Sequence, residues 1–162
     1  TRVKAGMMQK VDFTVIRADK DTDDEIFSML SELESQTIPD GWSANGFRAE
    51  AEKENGYVLY IEDNNRIISL LTAYTAADEA DITNVAVDIS MRRTGLAKML
   101  LSEFEAMLPC NITEIFLEVR ASNKPAIKLY SSFGYEQIAV RKRFYSNPIE
   151  DAIIMKKKVG EN

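Results

Sequence analysis

The sequence lacks histidine altogether and contains a single cysteine, Cys110, among its 162 residues. Without histidine, the chain cannot build a Ser-His-Asp or Cys-His catalytic site, and Cys/His zinc sites are excluded as well. We expect no metal, because the remaining ligands are carboxylates and no stretch has the spacing of a calcium-binding loop. A lone thiol cannot form an internal disulfide, which favours a reducing compartment such as the cytoplasm.

Long hydrophobic runs are also missing. No apolar stretch reaches the roughly 18 residues needed to cross a bilayer, and residues 1–10 lack the apolar core of a signal peptide, so we expect no membrane partner. We expect residues 1–10 to be a flexible or residual N-terminal arm and residues 11–158 to form a single domain. The net charge of −6 argues against a nucleic-acid partner, which normally requires a basic face.

The acidic residues are concentrated near the start of the chain. Residues 19–40 contain eight acids and one lysine. The simplest interpretation is the solvated face of a helix. The alternative is an electrostatic field that attracts a cationic substrate.

The hydrophobic pattern alternates between strand and helix periods, which predicts an α/β domain with a mixed sheet and helices on both faces. The predicted strands are 13–17, 57–61, 67–74, 82–87, 115–119, 135–145 and 151–157, and the predicted helices are 22–35, 43–55, 95–108 and 125–133. Thr22 to Glu25 resembles a capping box. Ser43 and Asn123 are predicted N-caps, and residues 63–65 are typical of a hairpin turn.

The segment Arg92-Arg93-Thr94-Gly95-Leu96-Ala97 follows one predicted strand and opens a predicted helix. A helix N-terminus offers unpaired N–H groups and partial positive charge, which suit a pyrophosphate. Gly95 and the small Ala97 would let the backbone approach closely, and Arg92, Arg93 and Lys98 add positive charge. By itself, this six-residue segment is also typical of a turn that contains a glycine beside solvated arginines. Its position between a strand and an amphipathic helix favours a phosphate cradle.

Glu118 lies in a later predicted strand, and Tyr130 lies on the helix that follows it. Strand alternation places Glu118 beside Phe116 on the face opposite the core residues. Glu118 is either a general base or a structural ion pair with Arg120 or Lys128. Tyr130 is expected to point inward, either as a core tyrosine or as the acid that protonates a departing thiolate.

These segments together resemble the GNAT superfamily of acetyl-CoA-dependent N-acetyltransferases, and more narrowly its ribosomal-protein-alanine (RimI-like) branch. The segments that carry the resemblance are 84–88, 92–97, 117–123, 129–130 and 150–155. The resemblance covers residues 82–157 and implies a mixed, mostly antiparallel sheet of about seven strands.

The resemblance also implies roles for individual residues. Glu118 would be the general base and Tyr130 the general acid. The acetyl-CoA-binding residues would be Val85, Ala86, Val87, Arg92, Arg93, Thr94, Gly95, Leu96, Ala97, Lys98 and Asn123. The acceptor-binding residues would be Trp42, Arg143 and Tyr145.

Three functions are compatible with this pattern. The leading hypothesis is transfer of an acetyl group to the N-terminal α-amine of a basic ribosomal protein that begins with Ala or Ser, by direct attack in a ternary complex. An α-amine, with a pKa of about 7.7–8.0, is far more often neutral than a lysine at about 10.4, which favours this acceptor. The alternatives are a small amine, such as a polyamine, an amino acid or an aminoglycoside, and a non-catalytic acyl-CoA-binding regulator.

Overall fold

A computed structural model describes residues 12–160 of the chain. The elements in chain order are β1 (Val15–Arg17), α1 (Asp24–Ser35), α2 (Ala44–Glu52), β2 (Gly56–Asp63), β3 (Arg66–Ala76), β4 (Glu79–Val87), α3 (Leu96–Met107), β5 (Glu114–Arg120), α4 (Lys124–Ser132), β6 (Glu136–Tyr145) and β7 (Glu150–Lys158). The predicted order of elements is confirmed. The predicted arm, residues 1–10, lies outside the described residues.

The strands form one sheet in the spatial order β1-β2-β3-β4-β5-β7-β6. The β4–β5 pair is parallel and the other five pairs are antiparallel. The predicted mixed, mostly antiparallel sheet of seven strands is therefore confirmed. The single parallel pair requires a crossover, which α3 provides.

Two separate cores lie on the two faces of the sheet. One contains Leu100 and Phe104 of α3 and Tyr130 of α4. The other contains Phe27 of α1 and Phe47 of α2. Because helices cover both faces, the central strands are buried on both sides and read as nearly continuous hydrophobic runs.

The predicted hairpin between β2 and β3 is confirmed at Asn64 and Asn65. Both residues have positive φ values, 52° and 59°. Asp63 pairs directly with Arg66, so these two residues form the whole turn. Positive φ at both central positions is typical of the type I′ turn, which asparagine tolerates and whose twist matches that of the flanking strands.

Two of the predicted helix starts are confirmed. The Ser43 hydroxyl accepts the N–H of Gly46 at 3.1 Å, and the Asn123 side chain accepts the N–H of Ala126 at 3.2 Å. These bonds satisfy N–H groups that have no partner within their own helix.

The predicted capping box at the start of α1 is wrong. The N-cap is Asp23, which makes no side-chain cap bond within the described chain. The Thr22 hydroxyl instead accepts the N–H of Asp19 at 2.9 Å, because a local turn competes for it. The second helix also ends at Glu52, three residues early, where a turn closed by the Gly56 N–H and the Lys53 carbonyl begins β2.

Two absences hold for residues 12–160. No helix there is long and apolar enough to cross a membrane. No group of three or more His, Cys, Asp or Glu side chains in that range could hold a metal ion.

Candidate active site

The sheet opens between β4 and β5. Their parallel ladder runs from the Glu79–Glu114 pair to the Ile82–Leu117 pair. Beyond Ile82, β4 stays paired with β3 as far as Val87, and β5 stays paired with β7 as far as Arg120. The two strands therefore separate and leave a cleft between their C-terminal ends.

Main-chain groups of β4 point into this cleft. The N–H of Asp88 donates to the Ile68 carbonyl of β3 at 2.8 Å. Successive residues of a strand alternate the side to which their main-chain groups point. Ala86 therefore also points toward β3, whereas Val85 and Val87 point toward the cleft. Of the three residues that the sequence predicted here, the geometry favours Val85 and Val87 as main-chain contacts for a ligand.

A tight turn connects β4 to α3 at the place of the predicted phosphate cradle. The Asp88 carboxylate accepts the N–H of Ser90 at 2.9 Å and its hydroxyl at 2.6 Å, and these bonds lower the pKa of Asp88. The Thr94 hydroxyl donates to the Met91 carbonyl. Side chains thus hold the turn, while the N-terminus of α3 has no side-chain cap among the described residues.

Gly95 is the N-cap of α3 and has a φ of +86°. This left-handed conformation is one that L-residues with a Cβ seldom adopt. A Cβ placed on Gly95 would meet no described atom within 4 Å, so the space in front of the helix end is open. An uncapped helix end facing open space fits a pyrophosphate.

The side chains around this helix end differ in exposure. Arg92, Arg93 and Lys98 are exposed, as a role in binding an anion requires. Leu96 is buried in the core, so only its N–H group can face a ligand. Asn123 uses the acceptor half of its amide as the α4 cap, which leaves the donor half for another partner.

Tyr130 and Glu118 lie on opposite faces of the sheet. Tyr130 belongs to the core beneath α3 and α4. Its ring packs edge-on against that of Tyr135, with the two ring centroids 6.0 Å apart. Burial raises the pKa of Tyr130, so its hydroxyl is protonated at neutral pH. Val85 and Val87 of β4 pack against the same core as Tyr130.

Glu118 is partly exposed on the face that carries α1 and α2. Its carboxylate lies 3.6 Å from the guanidinium of Arg141 on β6, and 32% of its side chain is exposed. The alternative partner Arg120 is paired with Glu150 instead, at 3.3 Å. Glu118 is therefore not in the predicted ion pair with Arg120, and it remains accessible to a substrate.

Tyr145 is held close to this carboxylate by the hairpin between β6 and β7. The Arg120 guanidinium lies over its ring at 4.4 Å and also donates to the Ser146 and Pro148 carbonyls at 3.0 and 3.1 Å. Burial and the nearby charge of Glu118 raise the pKa of Tyr145 to about 12. The structure thus places Tyr145 near both Glu118 and Tyr130, the two predicted catalytic residues.

Arg143 also lies in this hairpin. It is exposed on the edge strand β6, where its φ of 53° accompanies an irregularity in the ladder. Its N–H donates to Asp151 at 2.8 Å.

Trp42 is fixed by two side chains of α1. The carboxylate of Glu34 accepts the main-chain N–H of Trp42 at 2.8 Å, and the Ser31 hydroxyl donates to the main-chain carbonyl of Trp42 at 2.8 Å. Glu34 is fully buried, so the interpretation of residues 19–40 as a solvated face is wrong for this acid. Burial raises its pKa.

Two neighbouring cavities lie on this face, one beside Trp42 and one beside Glu118. One, of about 250 Å³, is lined by Trp42 and Tyr74. The other, of about 200 Å³, is lined by Asp81, Glu118 and Arg141. Tyr74 and Asp81 are directly opposite on β3 and β4, so the two cavities are adjacent.

Tyr74, Asp81 and Arg141 also line these cavities, and none of them was predicted as a site residue from the sequence. The predicted fourth strand began at Ile82, because aspartate and glutamate are uncommon in strands. The available signal was the alternation of Glu79 and Asp81 with apolar residues, which continues the strand backward.

The chain that forms this open cleft matches a known protein family. The model of the Acetyltransferase (GNAT) family matches residues 24–135. The chain belongs to the GNAT family. A ribosomal protein bS18-alanine N-acetyltransferase of Haemophilus ducreyi is 36% identical over 133 residues, covering 80% of this chain and 91% of that protein.

Solved structures agree with this GNAT assignment. The ribosomal-protein-S18-alanine N-acetyltransferase of Escherichia coli has a TM-score of 0.79 at 27% identity, covering 93% of this chain and 96% of that one. Arabidopsis thaliana NAA60 in complex with acetyl-CoA has a TM-score of 0.77 at 16% identity, covering 91% and 100%, and this likeness concerns the fold alone.

The predictions of family and fold are confirmed, and this GNAT chain is an N-acetyltransferase whose acyl donor is acetyl-CoA. The alternative of a non-catalytic regulator is set aside.

Proposed function

We propose that this GNAT enzyme acetylates the N-terminal α-amine of a ribosomal protein that begins with alanine or serine. The observation that carries the proposal is the position of Glu118, on an acceptor face where β4 and β5 separate, beside Tyr145. The name of the Haemophilus ducreyi relative, which is 36% identical, describes the same kind of acceptor.

Acetyl-CoA would be held mainly by main-chain groups. The N–H groups at the start of α3 suit its pyrophosphate, and the exposed Arg92, Arg93 and Lys98 supply opposite charge. The inward-pointing N–H groups of Val85 and Val87 suit its amide-rich arm. When bound, the donor supplies a thioester carbonyl as the electrophile.

The proposed reaction is a direct attack. The Glu118 carboxylate accepts a proton from the acceptor nitrogen, either directly or through a water. The nitrogen then attacks the thioester carbonyl carbon, while a β4 N–H such as that of Val87 stabilises the negative charge on the carbonyl oxygen. Tyr130, which burial keeps protonated, donates a proton to the departing sulfur. Cys110 is exposed at the far end of α3 and has no part in this scheme.

The shape of the acceptor face favours a peptide over a small amine. The two cavities are adjacent at the Tyr74–Asp81 pair, and an extended chain that follows the face from Glu118 toward Trp42 would pass both. The acids Glu50, Glu79, Asp81 and Glu118 line these cavities, and they suit a chain rich in arginine and lysine. Location in the cytoplasm and the absence of a nucleic-acid partner stay predictions from the sequence.

The test is thiol release from acetyl-CoA with a panel of acceptors. A basic peptide beginning with Ala or Ser should be acetylated at its α-amine, as mass spectrometry would show. A matched peptide with a blocked N-terminus and an internal lysine should react at least about tenfold more slowly, since only about 0.1% of lysine is neutral near pH 7.4. Faster turnover of a polyamine, an amino acid or an aminoglycoside would refute the peptide acceptor.

A further inference from the structure

The loop that joins α1 to α2, residues 36–43, is built around one buried side chain. Glu34 lies in the last turn of α1 and is fully buried. Its main-chain carbonyl accepts the N–H groups of Thr37 and Ile38 at 3.0 and 2.9 Å. Its carboxylate accepts the main-chain N–H of Trp42 at 2.8 Å. The same residue therefore holds both the beginning and the end of the loop.

The main chain of Trp42 is held on its other side as well. Its carbonyl accepts the hydroxyl of Ser31 at 2.8 Å, and Ser31 precedes Glu34 by three residues, on the same face of α1. The next residue, Ser43, caps α2. The Trp42 ring packs against Phe47 of α2, with the two ring centroids 5.3 Å apart. The main chain and the ring are therefore both fixed in the free protein.

Gly41 shows how closely the loop fits the carboxylate. A Cβ on Gly41 would lie 3.0 Å from Cγ and 3.1 Å from Oε2 of Glu34. Contacts this short would force the loop or the glutamate side chain to move. Glu34 is fully buried, and a close-packed interior leaves its side chain little room to shift. The absence of a side chain at Gly41 therefore allows the loop to close over Glu34.

Packing of the core does not explain a carboxylate at this position. The second oxygen of Glu34, Oε1, is buried and has no hydrogen-bond partner among residues 12–160. A buried acceptor without a partner destabilises the fold, whereas an apolar side chain of similar size would fill the space without that penalty. The carboxylate supplies one thing that an apolar side chain would not, which is an acceptor for the Trp42 N–H.

We propose that Glu34 is a positioning residue for acceptor binding, because its buried carboxylate fixes the 36–43 loop and makes the Trp42 ring a preformed wall of the acceptor face. Trp42 lines the cavity of about 250 Å³ together with Tyr74. The inference rests on the proposed acceptor face. A wall that is already fixed in the free enzyme needs little ordering when the acceptor binds. Loss of the Glu34 carboxylate should therefore weaken acceptor binding and leave the donor side intact.

The test replaces Glu34 with leucine, which keeps an apolar side chain of similar size but removes the acceptor for the Trp42 N–H. The KM for the acceptor peptide should rise about tenfold, the effect expected when a buried group loses one hydrogen bond. The KM for acetyl-CoA and kcat should change by less than about twofold. Trp42 is the only tryptophan in the sequence, so acrylamide quenching of its fluorescence in the free enzyme reports the loop directly and should increase.

Three further variants separate this role from a structural one. Glu34→Gln keeps an oxygen that can accept the Trp42 N–H, so its peptide KM and its quenching should stay close to those of wild type. Gly41→Ala leaves Glu34 in place but crowds the loop, and it should reproduce the effects of Glu34→Leu. Phe27→Leu lies two turns earlier on α1, in the same core. It should lower the melting temperature without changing the peptide KM or the quenching.

An unchanged acceptor KM in folded Glu34→Leu would overturn the inference, even if the quenching of Trp42 increased. An equal rise in KM for Phe27→Leu would also overturn it, because the loss would then come from lower stability. Calorimetric affinity for acetyl-CoA that matches wild type shows that a variant is folded. If Glu34→Leu does not fold, Gly41→Ala decides the question by the same criteria.

The failure of the proposed acceptor is distinguishable from the failure of this inference. If wild type acetylates only a small amine, the peptide acceptor fails by itself. The quenching of Trp42 does not depend on the acceptor, and the KM for that amine in wild type and Glu34→Leu then decides the role of Glu34.

Discussion

The two sides of the cleft are built in different ways. The donor side comes from one continuous stretch, in which β4, a tight turn and the first residues of α3 follow one another. It presents main-chain N–H groups and the cations Arg92, Arg93 and Lys98. The acceptor side collects side chains from separate elements, among them Trp42 before α2, Tyr74 on β3, Glu118 on β5 and Tyr145 on β6, and its charge is mainly negative.

This difference matches the two substrates. The donor carries a pyrophosphate, an anion that main-chain dipoles at a helix end can bind. The acceptor is an amine that arrives partly as a cation, and its binding needs carboxylates at fixed places. Damage to the donor side should therefore appear in the KM for acetyl-CoA, and damage to the acceptor side in kcat or in the KM for the peptide.

The largest expected effect is at Glu118 and Tyr130, the proposed base and acid. Glu118→Gln and Tyr130→Phe should each lower kcat by about 10²-fold or more, because each removes a positioned proton acceptor or donor. Steady-state kinetics with saturating acetyl-CoA would measure this loss, and calorimetry should show wild-type affinity for acetyl-CoA. Unchanged acetylation in the double variant would remove both residues from the mechanism.

The next effect is confined to the donor side. Gly95→Ala places a Cβ on a residue with a φ of +86°, which costs about 1–2 kcal/mol if the turn keeps its shape. We expect the KM for acetyl-CoA to rise about tenfold as the helix end shifts, with little change in the KM for the peptide.

Gly134→Ala is the matched control for this variant. It introduces a similar backbone strain at a φ of +99° beyond the end of α4, and its Cβ would also lie 3.2 Å from the Lys157 side chain. It should lower the melting temperature without changing the KM for acetyl-CoA. Equal effects of both variants on the KM for acetyl-CoA would show that the loss comes from lower stability of the whole fold and not from the conformation of the turn at Gly95.

A smaller effect is expected from salt on the acceptor side. Raising ionic strength from 50 to 300 mM should increase the KM of a long basic peptide several-fold, because salt screens the acids of residues 19–40. A neutral peptide with the same N-terminal alanine should change little when acetyl-CoA is saturating. The double variant Glu25→Gln/Glu32→Gln, at exposed positions of α1, should reduce the salt dependence. Identical slopes for both peptides would contradict long-range attraction.

The smallest effect concerns the stability of the Trp42 loop. Burial raises the pKa of Glu34, so the folded state binds this proton more tightly than the unfolded state, and wild type loses stability as pH rises through the folded pKa. Glu34→Gln does not titrate, and its amide oxygen can still accept the Trp42 N–H. At pH 8 the unfolding free energy of the variant should therefore exceed that of wild type by about 1 kcal/mol. At pH 4 it should not exceed that of wild type.

Urea denaturation at the two pH values would measure this difference. The exposed Glu32→Gln on the same helix should show no such dependence on pH. A Glu34→Gln variant that is less stable than wild type at pH 8 would mean that the charged hydrogen bond to Trp42 outweighs the cost of burial.

Much of the fold follows from local sequence. The caps at Ser43 and Asn123 and the Asn64-Asn65 turn were predicted correctly, because each depends on residues a few positions apart. The capping box at Thr22 failed because a nearby aspartate offered the hydroxyl another partner. The start of β4 was misplaced because acids are poor strand formers in isolation, although pairing with β3 and β5 imposes the strand at Glu79 and Asp81.

The sequence by itself determined the family, the alternation that exposes Glu118, and the turn and helix start of the proposed phosphate cradle, since these depend on neighbours along one stretch of chain. Only the tertiary structure decided that Arg141 rather than Arg120 faces Glu118, that Glu34 is buried behind Trp42, and that Asp81 shares a cavity with Glu118. The physical reason is that an ion pair or a cavity depends on which strands lie side by side. That arrangement is set by burial of both faces of the whole sheet rather than by local preference.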